Sequence, residues 1–205
     1  MRVVFIFVVL LVLIALAVPA TFAVRYWQDG AAVITRAERS GALREAPVSR
    51  LNMAERTIAM HEFRDTWRAR ATPCRTLAFL WADLTDQEAP TGTPVSHKLA
   101  MALLPERRGT SVRWQIRRLI VACQLEQRFD DRQMLRVWLD SASFGRDAVG
   151  IEAAAQTIFG KPSRSLNAEE AARLTALLRA PSLRTQPERW AERAQAIMQR
   201  VAVQP

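Results

Sequence analysis

The sequence lacks the features that mark several classes of protein. It contains only two cysteines, Cys74 and Cys123, and neither belongs to a motif with the spacing of zinc ligands. The chain has no internal repeat or low-complexity tract, and an apolar content of 50% excludes a disordered chain. No segment alternates apolar and polar residues over more than a few positions, so the sequence gives no support for β-strands.

Lysine is also scarce, although the chain is strongly basic. The formal net charge is +9, and only Lys98 and Lys161 are lysines among the 29 lysine and arginine residues. A basic excess favours anionic partners such as lipid head groups, diphosphates or nucleic acid. A solvated, arginine-rich surface is the alternative, and composition alone does not choose between them. Because the sequence has no nucleic-acid-binding motif, we expect no nucleic-acid partner.

The amino terminus is a long segment without charge. Residues 3–24 would extend about 33 Å as a helix, enough to cross a hydrocarbon core of about 30 Å. Arg25, Tyr26 and Trp27 follow this segment, as is typical of an interfacial anchor. A signal peptide cleaved near Val18-Pro19-Ala20 is the alternative, but the segment is longer than a usual signal core. We therefore predict a single-pass transmembrane anchor over 1–25 with its amino terminus inside, a juxtamembrane linker over 26–46 and a domain over 47–205.

The two cysteines leave two possibilities open. In an oxidising compartment they could form a disulfide, whereas their apolar sequence contexts favour two buried free thiols.

Several segments carry signals of helix formation. Residues 151–158 place apolar side chains at helical spacing, and Gly160 follows as a stop residue. Residues 119–125 are typical of a central buried helix, and Thr72-Pro73 is typical of a helix start. Two pairs have the spacing of a capping box, namely Asn167 with Glu170 and Asp130 with Gln133. Together these signals predict an all-α domain of about seven short helices.

From Phe144 onward the chain follows a specific pattern of motifs. Phe144-Gly145 is followed by Gly150-Ile151-Glu152-Ala153-Ala154-Ala155, by Phe159-Gly160-Lys161 and by Glu170-Ala171-Ala172. This run resembles the peptidoglycan glycosyltransferases of family 51, and Leu125-Glu126 and the segment 47–51 resemble upstream parts of the same family. One anchor followed by one domain resembles the monofunctional biosynthetic transglycosylases.

The resemblance implies a lysozyme-like helical fold in the periplasm, on the outer face of the bacterial inner membrane. It also implies the polymerisation of lipid II into glycan strands. In the family, a Glu in the first motif acts as the general base on the acceptor hydroxyl. Basic residues and a divalent cation stabilise the departing diphosphate, and a second Glu, in the third motif, supports the donor site.

The first catalytic motif is where the sequence departs from the family. The family pattern E-D-x-x-F-x-x-H-x-G is replaced at residues 61–70 by HEFRDTWRAR. Without a gap, His61 takes the place of the catalytic Glu, whereas a shift of one residue places Glu62 there. The catalytic candidates are therefore Glu62 and His61, and an ordinary exposed helix carboxylate is the alternative interpretation of Glu62.

The other motifs exchange amides and acids for basic residues. In the second motif, His97 and Lys98 replace two Gln. In the third, Arg118 replaces the second Glu, and in the fourth, Arg136 replaces another Glu. No metal site is predicted, and the candidates for binding substrate or another anion are His97, Lys98, Arg118, Arg136 and Arg68.

The loss of both family Glu residues indicates a retained fold without its catalysis. We expect a membrane-anchored, catalytically inactive member that acts in cell-wall synthesis by binding glycan, the lipid-linked precursor or a partner protein of the wall-synthesis machinery. The alternative is a divergent, active lipid II polymerase with Glu62 as general base and Asp65 or Glu126 as a second acid. No cofactor is expected, and only the active form would need a divalent cation.

Overall fold

The computed structural model describes residues 2–41, 43, 50–67, 74–75, 81–82, 85–87, 92–104 and 111–202; within residues 2–20 it describes only the backbone, apart from Ala17. The described α-helices are α1 Arg2–Arg39, α2 Met53–Glu62, α3 Val95–Leu103, α4 Val112–Arg128, α5 Asp131–Ser141, α6 Ile151–Phe159, α7 Ala168–Leu177 and α8 Pro187–Ala202. Short 3-10 helices cover Arg64–Thr66, Ser163–Ser165 and Pro181–Thr185. The described residues contain no strand, only an isolated bridge between Ser143 and Val149. The prediction of an all-helical chain is confirmed.

Local capping chemistry fixes several helix ends. Both predicted capping boxes are present, at the start of α5 and at the start of α7. A third box, which the sequence reading did not identify, joins Asn52 to Glu55 at the start of α2. Gly160 ends α6 in the left-handed conformation, with φ of 66°, which is cheap for glycine because it has no Cβ.

The helices pack in two groups that share one core. In the carboxyl-terminal group, α2 lies against α7 and α8, and α7 lies against α8. In the other group, α4 packs on α1 and α3, and α3 packs on α5. Phe63, at the end of α2, meets Trp138 of α5 edge to face with ring centroids 5.4 Å apart. This aromatic contact joins the two groups, and Phe63 itself belongs to the segment that replaces the first catalytic motif.

The carboxyl-terminal part of α1 is docked onto the domain. Within the predicted linker 26–46, residues up to Arg39 are helical, and Val33 and Ile34 are buried in the core. The side-chain amide of Gln124 on α4 donates to the Trp27 carbonyl at 2.8 Å. A Cβ on Gly30 would stand only 2.7 Å from Gln124 Oε1, so glycine permits the close approach of α1 and α4.

No helix within the described residues is both long enough and apolar enough to cross a membrane.

Cys74 and Cys123 form a disulfide, with their Cα atoms 5.3 Å apart. The expectation of two buried free thiols is therefore wrong. Cys74 is buried in a short described segment beside α4, and the Cα separation lies within the range that a disulfide spans. The apolar sequence contexts of the two cysteines reflect their burial. Because a disulfide and free thiols can both be buried, the sequence context could not decide between these two states. Thr72-Pro73 and most of the helix predicted around it lie outside the described residues.

Candidate functional site

Glu62 ends α2 and is held in a tight ion pair. Its side chain is only 4% exposed, and Arg179 Nε donates to both carboxylate oxygens at 2.9 Å. His61 Nδ1 donates to Glu62 Oε1 at 3.0 Å. Burial raises the pKa of Glu62, but the hydrogen bonds from His61 and Arg179 outweigh burial and hold the pKa below its usual value. Glu62 is thus not the exposed helix carboxylate of the alternative interpretation.

A buried network of charges joins residues of the first and second motifs. Arg75 Nη1 and Nη2 donate to Asp131 Oδ2 and Oδ1 at 3.0 and 2.5 Å, and Nη1 also donates to the Thr66 carbonyl at 2.7 Å. Glu126 accepts from the Arg75 backbone amide at 2.8 Å and from Ser96 Oγ at 2.5 Å. Burial lowers the pKa of Arg75, but the contacts with Asp131 and Glu126 raise it above its usual value.

The same network draws the first two motifs together. Thr66 belongs to the segment that replaces the first motif, and its carbonyl is held by Arg75. The Thr66 Cγ2 atom also lies 3.8 Å from where a Cβ on Gly92, in the second motif, would stand. Residues 61–67 of the first motif and residues 92–104, which contain the second motif, are therefore adjacent. Two motifs that line one cleft are expected to be adjacent.

A cluster of basic side chains lies on the facing surfaces of α3 and α4. The imidazole of His97 is mostly enclosed; burial, followed by the nearby charges of Arg118 and Arg75, lowers its pKa to about 4. Arg118 lies over the Trp114 ring at 5.3 Å, and burial lowers its pKa. Arg118 Nε is buried without a hydrogen-bond partner among the described residues. Lys98 is half-buried and follows His97 on α3.

The remaining two predicted anion-binding residues lie elsewhere or outside the described part of the chain. Arg136 Nε donates to Glu55 Oε1 at 2.8 Å, and its Nη2 donates to the Arg50 carbonyl at 2.9 Å. Since Glu55 also closes the capping box of α2, Arg136 ties α5 to the start of α2. Arg68 lies outside the described residues.

The sequence of most of the chain corresponds to one family. A model of the family described as Transglycosylase matches residues 73–202. The chain belongs to the transglycosylase family. It is 33% identical to penicillin-binding protein 1C of Escherichia coli over 186 residues, which cover 86% of this chain and 24% of that protein. It is 36% identical to the biosynthetic peptidoglycan transglycosylase of Acinetobacter baumannii over 90 residues, which cover 44% of this chain and 40% of that protein.

The chain is also 34% identical to penicillin-binding protein 1A of Aquifex aeolicus over 113 residues, which cover 54% of this chain and 15% of that protein. The matched part is well under half the length of each of these relatives. The resemblance to family 51 is confirmed.

The residues present at this transglycosylase site do not fit the divalent cation of the family mechanism. Among the described residues, no group of three or more His, Cys, Asp or Glu side chains is arranged to hold a metal ion. Arg118 brings a positive charge to the position of the second Glu, and Glu126 is engaged with Arg75 and Ser96. A cation needs oxygen ligands that these contacts already occupy.

Three residues of the site were missed by sequence reasoning. Arg75, Asp131 and Arg179 neutralise or hold groups of the motifs, yet none matches a catalytic position of the family. Their partners lie far along the chain: Arg75 and Asp131 are separated by 56 positions, and Arg179 and Glu62 by 117. Asp131 adjoins a predicted cap at Asp130, a signal for the helix start but not for the ion pair.

The low pKa of His97 predicts that the protein loses stability in mild acid. The folded protein keeps this imidazole neutral down to about pH 4, whereas the unfolded chain takes up a proton near pH 6.5. Stability is therefore complete above pH 6.5 and falls as the pH drops toward 4. We expect this residue to lower the free energy of unfolding by about 2 kcal/mol between pH 7 and pH 5. Denaturant titrations at both pH values measure it; a His97→Gln variant with the same pH dependence as the wild type would contradict the assignment.

Proposed function

We propose that this chain is a membrane-anchored, catalytically inactive transglycosylase-family protein. It acts in cell-wall synthesis by binding the lipid-linked diphosphate precursor or glycan, or by docking a partner of the synthesis machinery, instead of polymerising lipid II. The observation that carries this proposal is the state of Glu62, whose two carboxylate oxygens are both occupied by Arg179.

A general base must accept a proton from the attacking hydroxyl in the transition state. Glu62 meets this requirement poorly, because its lowered pKa makes it a weaker base and its oxygens already accept hydrogen bonds. His61 is engaged with the same carboxylate, at 3.0 Å. Glu62 is therefore a poor general base, and the Nδ1 atom of His61 is engaged in the same hydrogen-bonded group.

The second acid required by an active polymerase is also missing from its expected place. Arg118 stands at the second Glu position of the third motif. Glu126 is bound to Arg75 and Ser96, and Asp65 is exposed on the turn Arg64–Thr66. These placements favour the inactive protein over the divergent polymerase.

The basic cluster of α3 and α4 supports an anionic ligand. Arg118 has a buried, unsatisfied Nε among the described residues, and leaving such a donor without a partner costs free energy. Diphosphate oxygens would satisfy it, and Lys98 on α3 would add a second positive charge. The diphosphate of the lipid-linked precursor matches this chemistry better than an uncharged glycan does.

Anchoring and compartment are part of the same proposal. The charge-free segment 3–24 is long enough to cross a bilayer, and Trp27, 45% exposed, follows it as an interfacial residue. The disulfide between Cys74 and Cys123 favours an oxidising compartment, which agrees with a domain in the periplasm. We therefore propose a single-pass protein of the inner membrane.

The test is a lipid II polymerisation assay with the purified full chain in detergent. We expect the wild-type protein to bind labelled lipid II and to form no glycan strands, while an active monofunctional transglycosylase forms strands under the same conditions. The Glu62→Gln variant should bind lipid II as the wild type does, because Glu62 is already neutralised by Arg179.

A Glu169→Gln variant provides the matched control, since Glu169 is an exposed carboxylate paired with Arg173 on α7. Glycan strands formed by the wild type and by Glu169→Gln, but abolished in Glu62→Gln, would overturn the proposal in favour of an active enzyme.

A further inference from the structure

A cavity of about 450 Å³ lies between α1 and the amino-terminal end of α4. Its charged lining consists of Arg25, Asp29, Arg36, Arg113 and Arg117. Four guanidinium groups therefore face one carboxylate, which gives the cavity a strong positive potential. The first turn of α4 carries no acidic residue to offset the positive end of the helix.

Three of these arginines lack an ion pair within the part of the chain that the structure describes. Arg25, Arg36 and Arg113 form no ion pair with any described residue and are exposed at the cavity mouth. By contrast, Arg128 at the other end of α4 is paired with Glu38 of α1. Four positive charges beside one carboxylate repel one another, so an anion bound in the cavity would stabilise this arrangement.

The cavity is separate from the basic cluster of the candidate site. Arg113 and Arg117 are four residues apart and share the side of α4 that faces α1. Trp114 is buried, and Arg118 lies over its ring and acts on His97 of α3. Arg113 and Arg117 thus lie on a different face of α4 from Arg118.

Exposed apolar side chains adjoin lining residues of the cavity on α1 and α4, where a lipid would place its acyl chains. Phe22 on α1 lines the cavity and is exposed, and Val112 and Ile116 are exposed on the same part of α4. Phe22 lies at the end of the charge-free segment 3–24, and Arg25 follows directly. If that segment crosses the bilayer, the arginines lie at the level of the head groups.

We propose that this cavity binds the phosphate group of an anionic phospholipid of the surrounding membrane. Guanidinium groups bind phosphate oxygens with charge-assisted hydrogen bonds, and the exposed side chains of Phe22, Val112 and Ile116 offer apolar surface to the acyl chains. The bound lipid fixes the domain against the membrane by bridging α1 and α4. This inference rests on the proposed anchoring of α1, which sets the level of the cavity.

The test measures lipid binding to the detergent-solubilised full chain by native mass spectrometry. The probes are dioctanoyl phosphatidylglycerol, dioctanoyl phosphatidylcholine and glycerol 1-phosphate. We expect phosphatidylglycerol to bind more tightly than the other two, because it alone combines a net negative charge with acyl chains. The Arg36→Gln/Arg113→Gln double variant should weaken its binding by about tenfold or more, since each basic residue near an anionic lipid contributes about a factor of five.

An Arg193→Gln/Arg200→Gln double variant is the matched control, because it removes two exposed arginines of α8 that have no described ion pair. Equal weakening in both double variants, or equal binding of phosphatidylcholine, would overturn the lipid site. Binding of glycerol 1-phosphate as tight as that of phosphatidylglycerol would show a soluble phosphate site and would also overturn it. Single Arg25→Gln and Arg113→Gln variants, checked by circular dichroism, replace the double variant if it misfolds.

Binding in detergent does not require α1 to cross a bilayer. Anchoring is measured separately by alkaline extraction of membranes, and catalysis by the polymerisation assay. A failure of the lipid site is therefore distinguishable from a failure of the proposed function.

Discussion

Replacing Arg75 by methionine is expected to lower the free energy of unfolding by about 3–5 kcal/mol. Arg75 is the shared partner of two enclosed carboxylates, with side-chain exposures of 10% for Arg75, 8% for Asp131 and 7% for Glu126. Methionine fills much of the same volume but removes the positive charge that Asp131 and Glu126 share. Removing one member of a buried pair is costly because the remaining charge has neither water nor a partner. Denaturant unfolding of the full chain in mild detergent, followed by circular dichroism, measures the loss.

An Arg128→Met variant is the matched control. Arg128 also pairs across helices, with Glu38 at 3.3 Å, but its side chain is 46% exposed. Exposed ion pairs contribute about 0–1 kcal/mol, so this variant should change stability little. A loss below about 1 kcal/mol in Arg75→Met, equal to that of the control, would show that water screens the Arg75 network.

The loss of Arg75 should also reach the candidate site. Its guanidinium holds the Thr66 carbonyl and contributes to the low pKa of His97. Removing that positive charge should raise the pKa of His97 toward its usual range, which NMR titration of the imidazole would detect. A purely local loss of stability would leave the His97 titration unchanged.

Sequence reasoning succeeded where the interacting residues are close along the chain. The capping boxes of α5 and α7 could be predicted because each depends on two residues three positions apart. Gly160 could be identified as a stop for the same local reason. The family resemblance added information about the whole domain, because the spacing of the motifs between Phe144 and Pro181 is typical of one family.

Ion pairs between residues far apart in the sequence could not be predicted in this way. Arg136 stands at a motif position, yet the structure pairs it with Glu55, 81 residues away. Glu62 could be placed on α2 from the sequence, but its partner Arg179 lies in the turn after α7, 117 residues further along the chain. Charge reversal at a motif position predicts the loss of a carboxylate; it does not tell where the new cation points. Side-chain partners depend on tertiary packing, which no local pattern encodes.

Replacing Cys74 and Cys123 together by serine is expected to cost about 4 kcal/mol of unfolding free energy. The disulfide closes a loop between residues 49 positions apart, and a crosslink of that length removes much of the freedom of the unfolded chain. Both sulfur atoms also leave a buried site, since Cys74 and Cys123 are each less than one-tenth exposed. Thermal and denaturant unfolding of the full chain measure the effect.

Reducing agent separates the crosslink from the substitution. A reductant should destabilise the wild type by a similar amount and leave the Cys74→Ser/Cys123→Ser variant unchanged. Equal stability of the oxidised and reduced wild type would contradict a stabilising disulfide.

The disulfide and the Arg75 network should also be coupled, because Cys74 and Arg75 are adjacent in sequence. If the disulfide acted only on the unfolded chain, its removal would lower the free energy of unfolding by the same amount in the wild type and in Arg75→Met. Since the disulfide fixes the residue next to Arg75, whose guanidinium binds Asp131 and the Thr66 carbonyl, we expect the two losses to be less than additive. A double-mutant cycle with Arg75→Met and the serine pair measures this coupling; strict additivity would limit the disulfide to its effect on the unfolded state.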